Sequence, residues 1–233
     1  MPLWIPPLIA FLAGSIPFGL LIAKAKGVNI REHGSGNIGA TNVLRVIGKP
    51  YGIGCLLLDF LKGFFPTLLA INVYLIAGKN PQIAVDALEN LATPFAKPDA
   101  WKAQTLVILT GLAAILGHNY SPWIAFKGGK GIATSGGVLV ALMPVGVVVL
   151  LIIWVLFFVT TRYVSIASMG TALMVPVVTL YGSYRHGYLA DGSWNKPLFI
   201  FAIIIALLAV WRHQSNIKAL LAGTEHQFSK KKK

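Results

Sequence analysis

Cysteine is nearly absent from this chain. A single Cys55 in 233 residues excludes an intrachain disulfide and a cysteine-based metal site. Acidic residues are also scarce, seven against twenty lysines and arginines. No two of them have metal-binding spacing, which argues against a Mg²⁺-dependent phosphotransferase. There is no Walker A loop, because FKGGKG (126–131) lacks the spacing and the closing Lys-[Ser/Thr]. There is no Gly-x-Ser-x-Gly elbow. Trp123 stands where an aspartate would complete a His-x4-Asp dyad with His118. Heptads and solenoid periods are missing, and the closing lysines are the one low-complexity tract.

What is present is apolar. The chain is 56% hydrophobic and 12% charged, the balance of a membrane protein. Nearly uncharged runs recur along the whole length, so one polytopic domain covering 1–233 is expected. The first segment opens MPLWIPPL without a basic stretch and carries Gly14, Ser15, Pro17 and Gly19, so it reads as a retained span and not a cleaved signal. The net charge of +13 fits loops that face an anionic leaflet and an anionic substrate; nucleic acid is not expected as a partner.

Candidate spans lie at about 3–23, 51–77, 103–117, 164–182 and 197–211, with a continuous apolar run at 132–160. GSIPFG (14–19) predicts a kinked first helix whose small residues pack on a neighbour. Residues 78–102 read as a loop with room for a short surface helix. Fourteen of the twenty basic residues fall in the 24–50 loop, the 127–130 region, Arg162 and the tail from Arg212. The positive-inside rule therefore wants all of these cytoplasmic. Breaking the 132–160 run at Pro144 satisfies that demand. The predicted fold is an all-α, polytopic membrane helix bundle of about seven segments, N-terminus outside and C-terminus cytoplasmic; a five-span model meets the same charge count. The piece before Pro144 is too short to span alone and must be buried in protein, half-inserted or completed by backbone lining a polar cavity.

Three polar elements interrupt the apolar chain. SGNIGATNVLR (35–45) sets short hydroxyl and amide residues among glycines, a candidate backbone nest for an anion, with Arg45 beyond it. GHNYSPWIAFKGGKGIAT (117–134) combines a histidine, an asparagine, two lysines and four glycines. By itself this stretch supports an anion site at a membrane surface, or a basic loop that holds lipid headgroups. HQSNIKALLAGTE (213–225) is the third. After the eliminations above, the candidate set consists of donors: Ser35, Asn37, Thr41, Asn42, Arg45, His118, Asn119, Lys127, Lys130, Thr134, His213 and Asn216. Such groups bind phosphates and stabilise developing negative charge. Asp59 and Lys62, at i and i+3 within the second span, read as a structural ion pair. Glu225 reads as a structural partner for a nearby lysine or arginine, because an anion beside anionic substrates would repel them. Residues 230–233 read as an anionic-lipid contact.

These motifs resemble those of the PlsY family, the integral-membrane bacterial acyl-phosphate:glycerol-3-phosphate acyltransferases. GSIPFGLLIAK (14–24) and LLLDFLKG (56–63) match family segments as well, so the resemblance covers nearly the whole chain. Lys218 stands where arginine is expected, and the 78–102 loop is long for the family. The resemblance implies transfer of a fatty acyl group from acyl phosphate to the sn-1 hydroxyl of glycerol 3-phosphate. The products are lysophosphatidic acid and phosphate, in the first step of phospholipid synthesis at the bacterial inner membrane. No metal, cofactor or obligate protein partner is implied.

Carried over residue by residue, Ser35, Arg45, His118, His213 and Asn216 are the expected catalytic set. Gly36, Asn37, Gly39, Thr41, Asn42, Asn119, Lys127, Gly128, Gly129, Lys130, Gly131 and Thr134 are expected to bind substrate. Asp59, Lys62 and Glu225 are expected to be structural. Either histidine is a candidate base, and a phosphate oxygen of the donor is the competing proton acceptor. The rival reading is a transporter of a phosphorylated metabolite, since broken helices with anion-binding ends also occur there. Inverted repeats would favour it, and the two halves share no matching Gly/Pro interruptions.

Overall fold

Proline and glycine place the breaks between helices. In the computed structural model, which describes residues 1–81 and 83–228, α1 (Ile5–Ser15) starts on a proline pair and stops before Pro17. Ile16 is extended (φ −63°, ψ 118°), the conformation that a following proline imposes. The chain then resumes as α2 (Phe18–Ala25), which ends in a glycine turn at Gly27 (φ +69°). This is the kink expected from GSIPFG. The polar loop that follows is not wholly irregular: it contains a 3-10 turn, Ile30–Glu32, and a short helix α3 (Ala40–Val46) that carries Thr41, Asn42 and Arg45.

The second span, α4 (Lys49–Val73), ends earlier than its apolar run suggests. Residues 74–76 form β1 (Tyr74–Ile76), which pairs in parallel with β2 (Thr93–Phe95) across the 78–102 segment. Asn72 anchors that segment, since its Nδ2 donates to Ile83 O and its Oδ1 accepts from Val85 N. The expected short surface helix is a 3-10 helix, Asp86–Leu91. The third span, α5 (Ala100–Asn119), is longer than predicted and takes in His118 and Asn119. The 132–160 run breaks at Pro144 as predicted, into α6 (Ile132–Leu142) and α7 (Pro144–Thr161). Then come α8 (Val164–Arg185), α9 (Lys196–Arg212) and α10 (Gln214–Leu221). Among the described residues, five helical segments are long and apolar enough to cross a bilayer, a sixth is added if α9 and α10, bent by 53°, count as one, and α6 is a shorter apolar helix. The residues at 230–233, expected to contact anionic lipid, lie outside the described residues.

The chain divides into two compact units, 1–142 and 143 onward. In the first, α1 packs on α5 and α4 packs on α6. Small residues make these contacts possible. A Cβ on Gly14 would sit 2.2 Å from Ala114 O, and one on Gly117 2.3 Å from Phe11 O. A Cβ on Gly63 would lie 2.1 Å from Thr134 O and one on Gly137 2.0 Å from Phe60 O, so α6 is clasped against α4 by backbone contact. Thr134, Gly137, Val138, Leu139 and Ala141 of α6 are buried, so the segment too short to span is supported by protein. In the second unit, α8 packs between α7 and α9. Only Leu150 of α7 is buried, and its other faces are apolar and lipid-compatible.

Candidate active site

The second motif is built where α5 runs out of helix. His118 and Asn119 are its last two residues, and their carbonyls have no intrahelical partners to come. The loop returns to satisfy them, with Gly128 N donating to Asn119 O (3.1 Å) and Gly129 N to His118 O (3.1 Å). That return explains the glycines. A Cβ on Gly128 would meet His118 O at 2.0 Å, and one on Gly129 would meet His118 Nε2 at 2.1 Å. Gly131 has φ +79° and lies against Asn119, whose Oδ1 would be 2.7 Å from an added Cβ. The outward part of the loop turns through Ala125 and Phe126, both at positive φ (52° and 60°), a strained pair of non-glycine residues. Ser121 Oγ donates to Ser15 O (2.6 Å) and Trp123 Nε1 to Ser15 Oγ (2.7 Å), which fixes the loop to the α1–α2 break.

α6 starts immediately after Gly131, so its first N–H groups point back into this loop, a geometry suited to an anion. Two polar side chains beside it are fully buried, Asn119 and Thr134. Neither side-chain atom of Asn119 has a hydrogen-bond partner among the described residues, and neither does Thr134 Oγ1. Buried polar atoms in that condition are rare, and a bound ligand or water is one way to satisfy them. Lys127 is exposed and Lys130 half-buried.

The first motif lies in the same unit. Arg31 donates from its guanidinium to Lys127 O (2.8 Å), and Ile124 packs beside the cluster of Ala23, Ile30 and Ile38. Within the first loop, Asn42 reaches back from α3. Its Oδ1 accepts from Ser35 N (2.9 Å), and its Nδ2 donates to Ile30 O (3.3 Å), His33 O (3.0 Å) and Asn37 O (2.9 Å). Asn37 Oδ1 accepts from Gly39 N (2.8 Å). Both asparagines, expected to bind substrate, thus hold the loop's own backbone. Gly36 supplies a positive φ of 66°. Ser35 is exposed, while Thr41 and Arg45 are half-buried on α3.

Asp59 and Lys62 form the expected ion pair (2.7 Å), both side chains 3% exposed. The pair does more than its spacing suggests, because Lys62 Nζ also donates to Ile16 O (2.8 Å) and Asp59 Oδ1 lies 3.6 Å from His118 Nδ1. Neither Arg31 nor the Asp59–His118 contact was expected from the sequence. The only signal for Arg31 was one basic residue in a basic loop.

The third motif belongs to the second unit. His213 sits at the α9–α10 break, buried, with Nδ1 2.7 Å from Ala209 O. Asn216 Nδ2 donates to Glu225 Oε1 (2.7 Å), and so does Ser165 Oγ (2.8 Å). A serine and an asparagine thus hold Glu225 Oε1, where a lysine or arginine was expected. Ser165 is a further polar participant, and nothing in VSIAS set it apart from an ordinary helix start.

Residues 4–223 match the family model described as glycerol-3-phosphate acyltransferase. The chain is 40% identical over 221 residues to the glycerol-3-phosphate acyltransferase of Aquifex aeolicus, covering 95% of this chain and 96% of that protein. It is 41% identical over 222 residues to that of Geotalea daltonii, covering 95% of each. Among solved structures it is similar to PlsY (YgiH), an integral membrane glycerol 3-phosphate acyltransferase, in its glycerol 3-phosphate form. There the TM-score is 0.75 at 37% identity, over 98% of this chain and 96% of that one. The lysophosphatidic acid form gives 0.73 at 36% identity, with the same coverage. With the match extending across both units, this integral membrane chain belongs to the glycerol-3-phosphate acyltransferase family.

Proposed function

We propose that this protein transfers a fatty acyl group from acyl phosphate to the sn-1 hydroxyl of glycerol 3-phosphate, releasing lysophosphatidic acid and inorganic phosphate. The site faces the cytoplasm of a bacterial inner membrane, and residues 1–233 act as a single acyltransferase domain. The observation that carries this reading is the loop at 117–134. It combines glycine backbone, two lysines, the start of α6 and the buried, unpartnered Asn119 and Thr134 in one place. The donors among them, namely the lysines, backbone N–H groups, Asn119 Nδ2 and the Thr134 hydroxyl, suit a phosphate oxygen, which accepts several hydrogen bonds at once.

In the proposed reaction the acceptor hydroxyl oxygen attacks the acyl carbonyl carbon. The carbonyl becomes a tetrahedral oxyanion, and its collapse breaks the bond to phosphate. Phosphate leaves readily, so the demand falls on neutralising charge and on bringing two anions together. Ser35, Arg45, Lys127 and Lys130 hold phosphates, with Arg45 able to fork onto two oxygens. His118, Asn119, His213 and Asn216 orient the acceptor. The hydroxyl proton passes to a histidine or to a phosphate oxygen of the donor, and the reaction needs no metal ion.

Purified protein given both substrates should release phosphate only when both are present. Uptake of glycerol 3-phosphate into sealed vesicles without lysophosphatidic acid would overturn the proposal. Replacing His118 and His213 in turn with glutamine separates the two proton acceptors: near-normal turnover in both variants excludes a histidine base.

A further inference from the structure

We infer that Asp59 is a positioning residue that sets the glycine loop through the ring of His118. The inference rests on the proposed role of 117–134 as the phosphate-holding loop. An ion pair serving α4 alone would be complete with Asp59 and Lys62, which lie on one helix face. Here the carboxylate also touches a side chain of the neighbouring helix. Its Oδ1 is 2.7 Å from Lys62 Nζ and 3.6 Å from His118 Nδ1, while Oδ2 takes the thiol of Cys55 at 3.6 Å. Lys62 is in turn fixed to Ile16 O, the carbonyl left by the α1–α2 break. The carboxylate is therefore held from two helices and cannot drift.

The imidazole of His118 lies between that carboxylate and the loop. Its Nδ1 edge faces Asp59, and its Nε2 edge abuts Gly129, where even a methyl group would come within 2.1 Å of the nitrogen. At 3.6 Å the carboxylate stands just beyond hydrogen-bond range, and its negative charge favours the proton on the facing nitrogen, so Asp59 biases the ring toward the Nδ1–H form and with it one orientation. The ring then acts as a spacer of fixed length. Its position decides where Gly129 stands, and Gly129 N in turn closes on His118 O (3.1 Å). Moving the carboxylate would let the ring rotate and the loop's N–H groups lose their aim.

The test uses full-length protein in detergent with ¹⁵N-labelled histidine. Asp59→Asn alone leaves a buried lysine without its counter-ion and risks unfolding, so Asp59→Asn combined with Lys62→Met, which removes both charges, is the main variant. In the unaltered protein the His118 signal should show Nδ1 protonated, and in the double variant the proton should shift toward Nε2. The KM of at least one phosphate substrate should rise about tenfold, the worth of one hydrogen bond to a charged group. The kcat should stay within about twofold, and in a His118→Gln background the same double change should cause no further rise in KM. An unchanged nitrogen signal overturns the inference. So does a KM effect that adds independently to His118→Gln, or a fall in kcat at constant KM. If the unaltered protein transfers no acyl group, the proposed function fails on its own, and the nitrogen signal still decides whether Asp59 sets the ring.

Discussion

The two glycine-rich loops of the first unit draw on the same residue types and leave their asparagines in opposite conditions. In the 24–50 loop, Asn42 is buried and every polar atom of its side chain meets backbone, from Ile30 to Asn37. In the 117–134 loop, Asn119 is equally buried and neither of its polar atoms meets protein among the described residues. A satisfied buried amide stabilises the loop around it, whereas an unsatisfied one carries a desolvation penalty of about 1–3 kcal/mol that only a ligand or water removes. The first loop is thus a frame that holds Ser35 and α3 in place, and the second keeps hydrogen-bonding capacity in reserve. Their glycines differ too, although Gly131 of the second loop shares a positive φ with those of the first. Gly34 and Gly36 adopt positive φ to let the first loop turn. Gly128 and Gly129 are instead small because the loop lies directly on His118 and Asn119.

The largest effect is expected from Gly129→Ala. The added carbon would stand 2.1 Å from His118 Nε2 and under 3 Å from its ring carbon Cε1, in a buried position with no flexible neighbour to yield. Either the ring or the loop must shift. A misplacement on the order of 1 Å in a phosphate cradle costs roughly 100-fold in rate. Phosphate release by Gly129→Ala within a few-fold of the unaltered protein would mean that the ring does not support the loop.

The two asparagines separate frame from reserve. Asn42→Ala removes four hydrogen bonds from a buried position, and about 3 kcal/mol of stability should go with them, read as a lower melting temperature in detergent. Activity falls as a consequence. Asn119→Ala should do the reverse: the melting temperature holds or rises, because unpartnered buried atoms are removed, while turnover drops about tenfold or more. Thr134→Val, nearly equal in volume and lacking the hydroxyl, should follow Asn119→Ala with a smaller loss of several-fold. If Asn119→Ala and Thr134→Val destabilised the protein as Asn42→Ala does, the distinction between the loops would collapse.

Much of this architecture was legible from local chemistry. Pro17 and Pro144 mark helix breaks because proline acts on its own neighbourhood, and both fall where the sequence puts them. Gly14 stands in GSIPFG, whose small residues were expected to pack on a neighbour, and it lies at a helix contact, whereas Gly63 makes the same kind of contact with no such sign. What escaped prediction depends on distant partners. Tyr74–Ile76 reads as the end of an apolar helix, yet it becomes a strand because Thr93–Phe95 offers it a ladder. Asn42 and Asn119 are the same residue in similar glycine settings, and nothing nearby in sequence tells which one meets backbone. Asp59 and Lys62 announce each other at i and i+3, but the contact to His118 spans 59 positions of sequence and left no local sign.

The smallest expected effect is that of Arg31→Gln, and it bears on whether the two loops act together. Arg31 is exposed, and its guanidinium reaches Lys127 O at 2.8 Å, a direct hydrogen bond between the loops. An exposed contact of this kind contributes about 0.2–1 kcal/mol, since water competes for both partners. The melting temperature should therefore hardly move. Lys127 is itself exposed, so the tie through its carbonyl adds to the packing of Ile124 in keeping that part of the second loop against the first. Losing it should raise the KM of a phosphate substrate by about two- to five-fold while leaving kcat nearly unchanged, the signature of weakened ground-state binding. Arg31→Lys retains a donor but not the planar fork and should recover part of the loss. A large fall in kcat would place Arg31 at the reacting groups themselves. No change in either constant would mean that the second loop holds its shape from His118 and Ser15 alone.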